Sequence, residues 1–349
     1  MWIDNTIFRE DMEYISAADF IPWTKLKDKT ILVTGGTGLI GSTLISALLF
    51  ANNSHDLNLH IIAIVRNTIN AARQFAKQIT ESTALTFIEG KVENLPEISV
   101  HTDYIIHGAC PTSSSFFVNN PVETIQASVI GTMELLELAK KHKPEGFIYL
   151  SSMEAYGEVH TEEQLKENML GFVNPLITRS CYPESKRMCE AICNAYAVEY
   201  GIQATSIRLA QTFGPGVAYN DTRIFAMMAR CAMNKEDILL QTKGTSRHSY
   251  LYTAQAVTAI LTVLLKGEAG MVYNAANPDT YCSIYEMGEM VAKELGNEKI
   301  TVKIAMNGDI SKYPAPSFLN LDISAIRVLG WEPSGDLRRM YERMILCMV

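Results

Sequence analysis

Thr34 to Leu49 reads TGGTGLIGSTLISALL and follows the apolar run Lys29-Thr30-Ile31-Leu32-Val33, so that Gly35, Gly38 and Gly41 stand three apart between a strand-like and a helix-like segment. The N-terminus of a helix offers unpaired N–H groups and the positive end of the helix dipole, which together suit a pyrophosphate. Glycine is needed there for a tight turn, for close approach of backbone to phosphate, and for tight packing of helix on strand. A glycine triplet alone is weak evidence. Here it follows a strand and opens an amphipathic helix, the context the motif requires.

Outward from this point the chain becomes rhythmic. Strand-like runs are expected at Thr30–Thr34, His60–Val65, Thr86–Glu89, Tyr104–His107, Gly146–Ser151 and Ala204–Leu209, each apolar or β-branched over four to six residues. Helix-length segments lie between them at Leu39–Phe50, Thr68–Thr80, Pro121–Lys141 and Tyr182–Tyr200. Strands alternating with helices imply crossover connections and a parallel sheet covered on both faces. The expected fold class is therefore α/β, a Rossmann-type doubly wound parallel sheet with a smaller mixed α/β C-terminal unit. Residues 29–210 are assigned to the dinucleotide-binding part and 211–349 mainly to a substrate-binding part, with some chain crossing back to the sheet. Residues 1–28 are polar and aromatic-dotted without clear period, and are expected to pack as an extension on the surface. After Gly214-Pro215 the rhythm loosens, with helices expected at Arg223–Met233, Thr253–Lys266, Ser283–Leu295 and Ser334–Met344.

Composition narrows the class. A chain of 349 residues can bury a large core, and 48% hydrophobic with 19% charged residues is ordinary for a globular protein. The net charge of −8 argues against nucleic acid or an anionic membrane as the main partner. Seven scattered cysteines without a CxxC pair read as reduced thiols in a cytoplasmic protein. No metal site is indicated. The start, MWIDNTIFREDMEY, carries acids where a secretion signal needs a basic and then an apolar region, and no apolar run reaches membrane-spanning length.

Chemistry enters with SCYPESKRMCE, in which Tyr182 and Lys186 stand four apart and so share a helix face. An ammonium beside a phenol lowers its pKa from about 10 toward neutrality and makes the tyrosinate a usable general base. The run IYLSSMEAYGE ends the strand before this helix, where Ser151 or Ser152 can hydrogen-bond a substrate hydroxyl.

The order of glycine loop, serine strand and YxxxK helix resembles the extended short-chain dehydrogenase/reductase family, the sugar-nucleotide epimerases and dehydratases. IIHGAC, VIGTMELLELAKKH, RLAQTFGPG, GTSRHSYLYTAQAVTAI and LGWEP are similar, in order, to further segments of that family over nearly the whole chain. The resemblance implies NAD or NADP held by Gly35, Thr37, Gly38, Leu39, Ile40 and Gly41, with Ala109 also at the cofactor. Tyr182 would be the base and Lys186 its ribose-binding partner. Ser152 would contact the sugar hydroxyl and Arg247 would grip the substrate pyrophosphate. Gln211 stands where the family has a substrate-binding asparagine, and Arg223 where an arginine approaches the nucleotide. A nucleotide-sugar substrate and a homodimer are the implied partners.

Departures from the family pattern bear on the reaction. Arg66 ends the second strand where NAD-preferring members carry an acid, so it could pair with a 2′-phosphate and NADP stays open. Lys91, Ser128 and Gln255 also replace usual residues. In Ser152-Met153-Glu154, Met153 stands where related 4,6-dehydratases have the aspartic acid that protonates the leaving hydroxyl, which disfavours dehydration. Related UDP-glucuronate decarboxylases use a glutamate and an arginine, and epimerases tolerate almost any pair after the serine. The residues thus rank 4-epimerisation through a 4-keto sugar first, with Glu154 free to act at C5 in a decarboxylase as the next reading. An NADPH-dependent keto-sugar reductase comes third, and an inactive, dinucleotide-responsive regulatory module is the non-enzyme alternative.

Overall fold

The computed structural model describes residues 4–159, 161, 163–296, 299–305 and 316–348. Its centre is a seven-stranded sheet built from β1 (Thr30–Thr34), β2 (His60–Val65), β3 (Leu85–Glu89), β4 (Tyr104–His107), β5 (Gly146–Ser152), β6 (Ala204–Leu209) and β10 (Val272–Ala275). The strands lie in the order β10-β6-β5-β4-β1-β2-β3, with every neighbouring pair parallel. Both faces are covered, so β1, β2, β4 and β6 are buried along almost their whole length, which is why they read as unbroken apolar or β-branched runs. The strand order reverses where β1 lies between β2 and β4, and in open α/β sheets ligands bind beyond the carboxyl ends at such a point.

The connecting helices of this sheet are α2 (Leu39–Ser54), α3 (Thr68–Gln74), α4 (Ala76–Glu81), α5 (Ser114–Asn119), α6 (Pro121–Ile125), α7 (Gly131–His142) and α8 (Cys181–Tyr200). The single helix expected over Thr68–Thr80 is two, broken at the fully buried Phe75. The long helix from Pro121 runs through one π turn, Gln126–Ile130, into α7.

Beyond β6 the chain passes at once into β7 (Gln211–Phe213), which pairs with β9 (Arg247–Tyr252) in a second sheet. Between them lie α9 (Ile224–Asn234) and β8 (Ile238–Leu240). α10 (Thr253–Lys266) follows β9 and is buried from Thr253 to Leu265, and β10 then returns to the main sheet beside β6. The second sheet also holds β11 (Asn277–Ser283) and β13 (Phe318–Leu319), while β12 (Val302–Ile304) pairs with β8. The remaining helices are α11 (Ile284–Met290), α12 (Ser324–Val328) and α13 (Leu337–Cys347).

The N-terminal segment, read as without clear period, has a helical one. Thr6–Ser16 forms a helix, α1, that buries Phe8, Met12 and Ile15 at helical spacing. Its Asp11 is buried as well, accepting from Tyr252 Oη at 2.7 Å and from Arg343 Nη2 at 2.7 Å, so α1 is tied to β9 and α13. Among the described residues no helix is long and apolar enough to cross a membrane.

Candidate active site

The glycine loop is set by backbone contact. Gly35 has φ +74°, and a Cβ there would lie 2.6 Å from the carbonyl carbon of Gly108, beyond the end of β4. A Cβ on Gly41 would lie 2.2 Å from Gly35 O. At Gly38, which caps α2 without a side-chain bond, a Cβ would meet only Gly35 O at 3.4 Å and otherwise open space. The start of α2 is therefore accessible on that side, and the residues present fit a dinucleotide pyrophosphate.

A buried chain of hydrogen bonds braces the loop. Thr132 gives its hydroxyl proton to Ser128 O at 2.7 Å, so it accepts from His107 Nε2 at 3.1 Å. His107 Nδ1 then accepts from Thr34 Oγ1 at 2.8 Å, and Thr34 accepts from Ala109 N at 3.2 Å. Complete burial pushes the imidazole down to about 3, with the nearby Lys186 adding to the fall, so the ring is neutral. Arg66 is exposed just past β2 and has no ion-pair partner among the described residues.

The second cluster lies where β5 ends and α8 begins. Strand alternation sends the two serines to opposite faces. Ser151 is buried and donates to Glu190 Oε1 at 2.5 Å, and Glu190 in turn holds Arg208 Nε and Nη2 at 2.9 and 2.7 Å. Ser152 points to the other face and accepts from Glu154 N at 3.2 Å to cap the turn Met153–Tyr156. Tyr182 and Lys186 are both buried on α8. Lys186 Nζ donates to Leu150 O at 2.8 Å and lies 5.5 Å from the Tyr182 ring centre.

The lowered phenol expected from Lys186 is not what the structure shows. Burial pushes Tyr182 well above its ordinary range, Cys110 and Glu154 add to the rise, and Ser152 and Arg179 oppose it. The lysine is turned to a carbonyl instead, and the Phe117 ring stacks on Tyr182 at 4.2 Å and 11°.

Met153 is packed in the hydrophobic core. Glu154 forms a two-pronged ion pair with Arg179, at 2.9 Å from Nη1 to Oε2 and 3.0 Å from Nη2 to Oε1. Arg187, next to Lys186, holds the same turn through the carbonyls of Ala155, Tyr156 and Gly171 at 2.6, 3.0 and 2.7 Å. The sequence reading missed Arg179, although an arginine one helical turn before the tyrosine, in TRSCYPESK, was there to be seen.

The residues expected at the substrate nucleotide lie on the second sheet and its helices. Gln211 pairs in register with Tyr250. Arg223 caps α9 and is bound by Asp221, with a closest contact of 2.6 Å. Arg247 meets Glu286 at 3.0 Å and lies over the Tyr281 ring at 5.3 Å. Both arginines carry a carboxylate partner.

Residues 31–276 match the NAD dependent epimerase/dehydratase family, a span that starts in β1 and ends just past β10. The chain belongs to that family. As a member it is an NAD-dependent enzyme. UDP-glucuronic acid decarboxylase 3 of Arabidopsis thaliana is 32% identical over 310 residues, covering 88% of this chain and 85% of the relative. Among solved structures, UDP-glucuronic acid 4-epimerase from Bacillus cereus in complex with UDP-glucuronic acid and NAD superposes with a TM-score of 0.74 at 22% identity, over 91% of this chain and 98% of the other. dTDP-glucose 4,6-dehydratase from Bacillus anthracis in complex with NAD does so with 0.72 at 21%, over 91% and 96%. At these identities the two structures establish the fold of this family member and not its reaction.

Proposed function

We propose that this family member decarboxylates a nucleotide-linked uronic acid, with UDP-glucuronic acid, named for its curated relatives, as the substrate class. The observation that carries the reading is the Glu154–Arg179 pair beside Ser152 and Tyr182, together with Met153 buried where a dehydratase needs an acid. Bound NAD supplies reversible removal of hydride from sugar C4. The loop Gly35 to Gly41, with Thr37, Leu39 and Ile40, holds its pyrophosphate, while Ala109 and Lys186 lie along the rest of it.

Tyr182 takes the proton from the sugar O4 hydroxyl that Ser152 orients. The resulting 4-keto uronate is a β-keto acid: the C5–C6 bond breaks, carbon dioxide leaves, and the electron pair passes into the C4–O4 system. Ser152 and the protonated Tyr182 stabilise that oxygen. A proton drawn from solvent reaches C5 past the Glu154 carboxylate, which Arg179 holds in place, and Tyr182 returns its proton to O4 as C4 is reduced. The cofactor ends as it began, so no external reductant is consumed.

Epimerisation at C4, ranked first from the resemblance to the family, is the second reading. It needs only Ser152, Tyr182 and Lys186, and the 5.5 Å from Lys186 Nζ to the Tyr182 ring centre supports it. Incubation with UDP-glucuronic acid and NAD separates the two, with UDP-, GDP-, CDP- and dTDP-sugars run in parallel. A UDP-pentose with one equivalent of carbon dioxide is expected. A product of unchanged mass overturns decarboxylation in favour of epimerisation, and a 4-keto-6-deoxy sugar nucleotide overturns the reading of Met153.

A further inference from the structure

Arg179 belongs to a short 3-10 turn, Thr178–Ser180, that leads into α8, and it precedes Tyr182 by three residues. From there it reaches the turn after β5 and grips both oxygens of Glu154. Its guanidinium lies 5.9 Å from the centre of the Phe117 ring, which is itself stacked on Tyr182. The side chains of Arg179 and Glu154 are 32% and 29% exposed, so the pair stands at the mouth of the site and is only partly screened.

The groups that face Tyr182 come from three elements. Cys110 follows β4; Tyr149 and Glu154 belong to β5 and its turn; Arg179 and Lys186 belong to α8 and its lead-in, while the Cys181 thiol turns to Phe117 O. Of these only Arg179 and Lys186 are cationic, and Lys186 Nζ is bonded to Leu150 O beneath the rings. Glu154 lies on the turn Met153–Tyr156, which packs against α8, and its carboxylate opposes an anion on the Tyr182 hydroxyl. Among the described residues, Arg179 is the one cation bonded to that carboxylate.

We infer that Arg179 is a positioning residue that acts through Glu154, fixing the direction of its carboxylate and cancelling its charge at the Tyr182 oxygen. This goes beyond the proposed decarboxylation and rests only on Tyr182 as the base, since removal of the O4 proton precedes every reaction the family members above are named for. The same pair sets the two charges against each other, so the effects of removing them have opposite signs. Loss of Arg179 alone leaves Glu154 unopposed and makes the tyrosinate harder to form. Loss of Glu154 alone makes it easier, and loss of both comes close to the original state.

The test is a pH titration of tyrosinate absorbance in the NAD-loaded protein, with the Tyr182→Phe protein subtracted. It is run for the unmodified chain, Arg179→Gln, Arg179→Lys, Glu154→Gln and the double variant, with circular dichroism confirming the fold. Arg179→Gln should move the Tyr182 midpoint up by about one pH unit, Glu154→Gln should move it down, and the double variant should lie between them. Arg179→Lys should restore most of the shift, because it keeps the charge and loses only the fork. An unchanged midpoint in a folded Arg179→Gln protein overturns the inference, as does an upward shift of equal size in the double variant. If Arg179→Gln does not fold, Arg179→Lys against the double variant carries the same contrast. The titration needs no turnover, so inactivity toward UDP-glucuronic acid would count against the proposed function and leave this result standing.

Discussion

The loop between β1 and α2 and the turn after β5 both lie at the carboxyl end of one parallel sheet, yet they are held in different ways. Gly35 and Gly41 are fixed by backbone meeting backbone, with no room for a single carbon. The turn Met153–Tyr156 is fixed by side chains that reach in from elsewhere: Arg179 to Glu154, and Arg187 to the carbonyls of Ala155 and Tyr156. The first arrangement is insensitive to charge and intolerant of volume. The second is the reverse, and it is where members of one family can differ in reaction while sharing a cofactor site.

The comparison predicts a graded series. Gly41→Ala should be the most damaging change, because the new Cβ would meet Gly35 O, and backbone cannot swing aside as a side chain can. Titration calorimetry should find NAD affinity reduced by about three orders of magnitude or more, or no folded protein at all. A Gly41→Ala variant that binds NAD normally would break the distinction between the two regions. Glu154→Gln follows, with kcat reduced by about two to four orders of magnitude if the carboxylate acts at C5. Retention of most activity would instead mark an epimerase. Tyr182→Phe should fold normally and lose at least about two orders of magnitude in kcat/KM, as removal of a general base does.

Smaller effects sharpen the picture at the edges. Arg66 is exposed beyond β2, so Arg66→Ala should weaken NADP binding about tenfold, or about 1.4 kcal/mol, and leave NAD nearly unchanged. Equal changes for both would return Arg66 to an ordinary surface role. An effect on stability rather than on binding belongs to His107. Its folded pKa is held down to about 3 against about 6.5 when unfolded, so the unfolded chain binds the extra proton between those values. Its contribution to stability is complete above pH 6.5 and is lost as pH falls toward 3. Thermal melts from pH 7 to 5 should therefore fall more steeply for the natural chain than for His107→Gln, and parallel curves would remove His107 from the brace.

Much of the scaffold was legible in the sequence for a local reason. Strands covered on both faces must be apolar or β-branched throughout, and the glycine spacing marks a turn in which Gly41 packs on Gly35 of the same loop, although Gly35 itself meets Gly108 beyond β4. The pair Tyr182 and Lys186 was legible too, because helical repeat alone places them on one face. α1 was misread because its apolar positions, Phe8, Met12 and Ile15, are interleaved with acids, and Asp11 on the buried side masks the pattern.

By itself, then, the sequence determined the alternation of strands and helices, the glycine turn before α2 and the helix face that Tyr182 and Lys186 share, since each rests on a short local pattern or a fixed repeat. Only the tertiary structure decided that Ser151 turns away to Glu190, that Asp11 is matched by Tyr252 and Arg343, and that Glu154 is matched by Arg179. The physical reason is that an ion pair depends on distance in space between two groups whose positions in the chain follow no period. Twenty-five residues separate Glu154 from Arg179 and 332 separate Asp11 from Arg343, and it is the packing of β5 against α8, and of α1 against α13, that brings them together.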